Sequence, residues 1–255
     1  MPDAWAIHIW CAFFDEIDDP GLLAEYGRLL SPDERDQWPR FVFPSDRRRY
    51  VVTRALVRTV LSRYADVAPA AWTFDADRFG RPRITNDHAA ARDIAFNITH
   101  TNSLIALAVT GGPAIGIDTE RVRAFDTLFE LAEQSLTPEE VAALRSCPAD
   151  LQPRRFLEYW TLKESYLKAR SVGLSVPLEH VAFRFDPSGR ISMWIDPAAD
   201  CGTEWRLWQF TVARDYVVAV CAERAGPDVP ALVVRKVVPL RSDEDLVYES
   251  VRLSE

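Results

Sequence analysis

AFNITHTNSLIALAVTGGPAIGIDTE, residues 95–120, decides the architecture: β-branched apolar runs alternate with turn residues, which marks strands joined by tight connections. Just upstream, TFDADRFGRPRI (73–84) reads as a short hairpin turning at Gly80. Before it lies RRRYVVTRALVRTVLSRY (47–64), free of Gly and Pro, with Val52, Leu56 and Val60 at i+4 steps as an amphipathic helix requires. Helix followed by strands then recurs. A second helical stretch runs from about Arg154 to Arg170, followed by VAFRFDPSGRISMWID (181–196) with a turn at Pro187-Ser188-Gly189, and by the apolar hairpin WRLWQFTVARDYVVAVCAE (205–223). Aligning Ser103–Ala108 with Tyr216–Cys221 also brings the two helices into rough overlap. This suggests a duplicated α+β unit, although any two buried strands look alike.

The chain has 255 residues, enough for one large domain or two small fused ones. Apolar residues make up 48% and charged residues 27%, a globular mixture that excludes fibrous and disordered classes. No apolar run approaches the ~18 residues that span a bilayer, and MPDAWAIHIW at the N-terminus lacks a basic region ahead of its short apolar stretch. A cytoplasmic location without a membrane partner is expected. Cys11, Cys147, Cys201 and Cys221 form no CxxC pair and have no His at zinc-ligand spacing, so free thiols are expected.

The net charge of −8 opposes non-specific binding to nucleic acid. Charge is nevertheless uneven. Between Arg40 and Arg63 lie seven arginines and one acid, Asp46. Arg47, Arg54 and Arg58 share a face of the first helix, so an anionic ligand at this segment competes with a plain solvated arginine face as the explanation.

Two motifs carry chemistry. In AIGIDTE (114–120) strand alternation turns Ile115, Ile117 and Thr119 one way, and Gly116, Asp118 and Glu120 the other. Side-by-side carboxylates repel unless a cation lies between them, and an oxygen-only pair suits magnesium better than zinc. In FLEYWTLKESYLKA (156–169), Phe156, Tyr159, Trp160, Tyr166 and Leu167 are spaced for an apolar face, while Trp160, Glu164 and Lys168 fall in one i, i+4 row. Alone, the first motif reads as a solvated strand end and the second as a surface ion pair.

Together, with GRP (80–82) and NITH (97–100) ahead of both, they resemble the signature of the 4′-phosphopantetheinyl transferase superfamily, in its long, two-lobed surfactin-synthetase type; the resemblance runs from about Ser31 to Ala222. It implies two similar α+β lobes related by a pseudo-twofold axis, with the active site in the cleft between them. The lobes are expected at 1–112 and 113–226, the second carrying the metal and catalytic motifs, with a C-terminal tail at 227–255 to which the pattern assigns no role. The implied reaction moves 4′-phosphopantetheine from coenzyme A to a serine of an acyl or peptidyl carrier protein. Apo carrier becomes holo, and adenosine 3′,5′-bisphosphate is released. Carried over, Asp118, Glu120 and Glu164 become ligands of Mg2+ (or Mn2+). Glu164 also becomes the general base, and Lys168 binds the pyrophosphate and stabilises its developing charge. Gly80, Arg81 and Pro82 would line the nucleotide site, Thr99 and His100 would contact phosphate, and Arg35, Arg47 and Arg54 would be further phosphate partners. The expected partners are coenzyme A and a carrier domain, with the enzyme a monomer. A non-catalytic coenzyme A or carrier-binding module and a magnesium-dependent nucleotide pyrophosphatase are the competing readings.

Overall fold

The computed structural model describes residues 6–112, 114–172 and 177–254. The first stretch of chain forms β1 (Ile7–Phe13), three helices α1 (Pro20–Leu29), α2 (Pro32–Gln37) and α3 (Pro44–Leu61), the short hairpin β2 (Phe74–Ala76) and β3 (Pro82–Ile84), a single turn α4 (Ala89–Arg92), and β4 (Ile94–His100) with β5 (Leu104–Gly111). The second repeats that order: β6 (Ile115–Arg121), α5 (Leu128–Ser135), α6 (Pro138–Ser146), α7 (Gln152–Arg170), the hairpin β7 (Val181–Phe185) and β8 (Arg190–Ile195), then β9 (Trp205–Val212) and β10 (Tyr216–Glu223). The final segment supplies β11 (Leu232–Val238), β12 (Ser242–Asp245) and β13 (Tyr248–Ser254). The fold is α+β, and the chain divides into two compact units, residues up to 112 with Val229–Leu246, and residues 113–228 with the last nine.

Within each unit the equivalent strands pair identically. β1–β5–β4 in the first sheet and β6–β10–β9 in the second are antiparallel ladders in the same order. The segment after residue 227 is not a separate tail. β11 adds to β1 in parallel and carries β12, while β13 inserts between β9 and β8. Single-sequence periodicity does not assign those strands to a sheet, because their partners lie far along the chain.

Each long helix covers one face of its own sheet. α3 buries Val52, Leu56 and Val60 with Trp10, Ile105 and Leu107, and α7 buries Phe156, Tyr159, Tyr166 and Leu167 with Leu207 and Ala219. Each such large apolar side chain contributes about 1.5–3 kcal/mol by leaving water. Three of the shorter helices, α1, α2 and α6, which hydrophobic periodicity does not reveal, are set by their caps. Asp19 Oδ1 accepts from the Leu22 N–H at 2.7 Å at the start of α1. Ser31 and Glu34 form a reciprocal capping box on α2, and Thr137 and Glu140 form the same box on α6. Both boxes have Pro at the first helical position, where its missing N–H costs nothing. The hairpin turns at Gly80 and Gly189 have φ of 81° and 83°, a backbone region open to glycine at little cost.

Candidate active site

The second unit builds its polar cluster on β6 and α7. Gly116 decides how closely they approach: a Cβ there would stand 2.0 Å from the Ser165 carbonyl oxygen and 2.4 Å from the Ala169 nitrogen. With only hydrogen at this position, the helix backbone lies directly on the strand. Two residues on, the same strand face presents Asp118, and from α7 the Lys168 Nζ reaches across to it at 2.6 Å, with a second contact to the Ile117 carbonyl at 3.3 Å. Lys168 therefore pairs with the strand, which differs from an ordinary surface pair along its own helix. Asp118 is buried, Glu120 and Glu164 are partly buried, and Thr119 on the opposite face donates its hydroxyl to the Val217 carbonyl.

The electrostatics are those of crowded carboxylates. Burial raises the Glu164 pKa, the negative charges of Asp118 and Glu120 raise it further, and Lys168 only partly offsets them. Among the described residues no group of three His, Cys, Asp or Glu side chains is gathered closely enough to enclose an ion. In chemistry, an all-carboxylate donor set under mutual repulsion fits a hard divalent cation. In the arrangement present, the Lys168 ammonium supplies the positive charge against Asp118.

In the first unit, a groove of about 440 Å³ is lined by Glu34, Tyr50, Arg54, Gly80, Pro82 and His100 among others. Four of the residues singled out from sequence (Arg54, Gly80, Pro82 and His100) are thus brought together. Arg35, Arg47, Arg81 and Thr99 do not line it. The Arg47 Nε donates to the Phe41 carbonyl at 2.6 Å, the Arg81 guanidinium donates to the Phe96 carbonyl at 3.0 Å, and Thr99 is buried in β4. Arg58, grouped with Arg47 and Arg54 by helical spacing, is only 2% exposed. Its guanidinium donates to the Trp72 carbonyl at 2.6 Å and to Glu34 Oε2 at 2.7 Å.

Sequence reasoning missed a buried device that occurs once in each unit. The capping-box glutamate of the third helical position receives a cation from the long helix: Arg58 on Glu34, and Lys163 on Glu140 at 2.8 Å. Each cation also ties down the segment before the next hairpin, Arg58 at Trp72 and Lys163 at the Leu178 carbonyl. The signal was present in the chain as Ser31-Pro32-Asp33-Glu34 and Thr137-Pro138-Glu139-Glu140. The repeated capping box marks both glutamates in the chain, whereas their cations on the long helices meet them only in the tertiary structure.

Comparison with known proteins agrees with this layout. Residues 114–221 match the 4′-phosphopantetheinyl transferase superfamily model, and residues 22–111 match the 4′-phosphopantetheinyl transferase N-terminal model. A relative from Nostoc sp., named 4′-phosphopantetheinyl transferase HetI, is 32% identical over 86% of this chain and 89% of its own. The chain belongs to the 4′-phosphopantetheinyl transferase superfamily. A second relative, 4′-phosphopantetheinyl transferase Sfp from Bacillus subtilis, is 30% identical over 79% of this chain and 85% of its own. Among solved structures, a holo-(acyl-carrier-protein) synthase from Bacillus anthracis str. Ames matches with 20% identity and a TM-score of 0.38, over 44% of this chain and 96% of that one. No helix among the described residues is long and apolar enough to cross a membrane.

Proposed function

We propose that this phosphopantetheinyl transferase moves the 4′-phosphopantetheine group of coenzyme A onto a serine hydroxyl of a carrier-protein domain, with the β6–α7 cluster performing the chemistry and the first-unit groove receiving a phosphate of the nucleotide. Membership of the family supports the reaction. The single observation that carries the assignment of roles is the placement of Asp118, Glu164 and Lys168 on two elements held in contact at Gly116.

In the transfer, the serine oxygen forms a bond to the phosphorus next to pantetheine, the bond from that phosphorus to the bridging oxygen breaks, and adenosine 3′,5′-bisphosphate leaves. The serine proton must go to a base. Glu164, its pKa raised by burial and by Asp118, holds a proton more firmly than an ordinary carboxylate and is the group we assign to accept it. The Lys168 ammonium is assigned to the charge that grows on the departing bridging oxygen. Asp118, Glu120 and Glu164 are assigned to a magnesium ion, which when bound supplies further neutralisation of the diphosphate. In the first unit, Arg54 and His100 are assigned to phosphate, with Gly80 and Pro82 forming the wall beside it. Arg35, Arg47, Arg81 and Thr99, which do not line the groove, are assigned to phosphate on the family pattern alone.

The test is to incubate the purified protein with coenzyme A, magnesium and an apo carrier domain and to weigh the carrier. Gain of one phosphopantetheine per serine is expected. Binding of coenzyme A without mass gain would return the chain to a silent binding module, and cleavage of coenzyme A without carrier would indicate a pyrophosphatase.

A further inference from the structure

The duplicated capping-box glutamate offers an internal comparison, because the same local device is used differently in the two units. In the second unit Glu140 is wholly committed to structure. Its Oε2 accepts from the Thr137 N–H and from Lys163 Nζ, each at 2.8 Å, and its Oε1 accepts from the Phe183 N–H at 2.8 Å. The side chain is 1% exposed. In the first unit Glu34 Oε2 does the equivalent work, accepting from the Ser31 N–H at 2.9 Å and from Arg58 at 2.7 Å. Where Glu140 Oε1 has a backbone N–H, Glu34 Oε1 has an ion pair without hydrogen-bond geometry to Arg54 Nε at 3.3 Å, and its side chain is 14% exposed at the wall of the groove.

We propose that Glu34 is a positioning residue for anion binding: anchored through its capping box and Arg58, it uses its second oxygen to aim Arg54 at a phosphate in the first-unit groove. The proposal rests on the reading of that groove as a phosphate site. Three features support it. Arg58 is buried and tied to the Trp72 carbonyl, so Glu34 is held from behind by an element that does not reach solvent. The contact to Arg54 is made at Nε, not at the terminal pair of amino groups that grips a phosphate bidentately. The Arg54 guanidinium also lies over the Tyr50 ring, 5.1 Å from its centre, so carboxylate and ring together restrict a side chain that otherwise has many rotamers. A guanidinium ordered before the ligand arrives loses less conformational freedom on binding.

The experiment uses the full chain and two probes, adenosine 3′,5′-bisphosphate and adenosine 5′-monophosphate, titrated calorimetrically against the parent, Arg54→Ala, Glu34→Gln, Glu34→Asp and Glu140→Gln. Folding of each variant is confirmed by circular dichroism. The expected result is that Arg54→Ala abolishes the preference for the bisphosphate. Glu34→Gln and Glu34→Asp should lower bisphosphate affinity about tenfold while leaving the monophosphate nearly unchanged, with no further loss when Glu34→Gln is combined with Arg54→Ala. Glu140→Gln should lower stability and leave the preference intact. Tighter bisphosphate binding by Glu34→Gln would show a charge brake and overturn the proposal, as would equal weakening of both probes by the two Glu34 variants. If Arg54→Ala weakens the bisphosphate and neither Glu34 variant does, positioning alone falls. If Arg54→Ala changes nothing, the phosphate reading of the groove falls and takes the proposal with it. Should Glu34→Gln fail to fold, Glu34→Asp, which keeps the charge but shortens its reach, decides the matter.

Discussion

Replacing Lys163 by methionine tests how much of the second unit depends on one buried charge pair. Lys163 is wholly buried, and its ammonium donates to Glu140 and to the Leu178 carbonyl, both at 2.8 Å. Methionine keeps most of the stem's packing but removes both donors, and Glu140 is left with two backbone N–H partners and no countercharge from α7. Breaking one side of a buried pair costs about 3–5 kcal/mol. The two remaining N–H groups on Glu140 hold the expected loss to the lower part of that range, about 3 kcal/mol. For a chain of this size that is on the order of 10 °C in melting temperature. Arg58→Met should cost less, because Glu34 keeps Arg54 and partial access to water. The assay is urea unfolding followed by tryptophan fluorescence, with Glu140→Gln and the double variant Glu140→Gln/Lys163→Met completing a cycle. The double variant should be less destabilised than the sum of the singles, since each removes the same interaction. A Lys163→Met loss below about 1 kcal/mol, or strict additivity, would refute the reasoning.

Gly116→Ala places a carbon 2.0 Å from the Ser165 oxygen, far inside contact distance, so α7 must shift away from β6. Turnover should fall at least tenfold with far-ultraviolet dichroism retained, and parent-like turnover would show that the close approach does not matter. Glu164 has a folded-state pKa above its ordinary value of 4.5, so the folded protein binds the proton more tightly than the unfolded chain, and stability is lost as pH rises through the folded pKa. Without divalent cations, Glu164→Gln should therefore be more stable than the parent at pH 7, with the gap closing below about pH 4.5. A gap independent of pH in thermal melts would remove the carboxylate as its cause. Deleting residues 247–255 withdraws β13 from between β9 and β8, together with the Ser254 hydroxyl that accepts from the Leu207 N–H and the Arg252 contact to Glu158. Its unfolding midpoint should drop sharply, and an unchanged midpoint would make β13 dispensable.

Local pattern determined much of this protein. The i+4 apolar rows of α3 and α7, the alternation in β6 that turns Gly116, Asp118 and Glu120 to one face, and the glycine turns at 80 and 189 depend on neighbours a few residues away, so they are legible one segment at a time. The recurrence of helix and strands already suggested two similar units. Tertiary structure decided what spacing cannot encode. The shift between matching elements varies (Ser31 against Thr137, Leu104 against Tyr216), so no single offset aligns the halves. Arg47, Arg54 and Arg58 look equivalent on a helical wheel, yet one caps a loop carbonyl, one faces a groove and one is buried, because α2 and the segment at residues 69–72 cover only part of that face. Lys168 falls in one helical row with Glu164, yet it also bonds Asp118 on β6, a contact made possible by the close approach of strand and helix at Gly116. β11 and β12 joined one sheet and β13 the other for the same reason: strand pairing is a contact between distant segments, and one segment's own sequence does not name its partner.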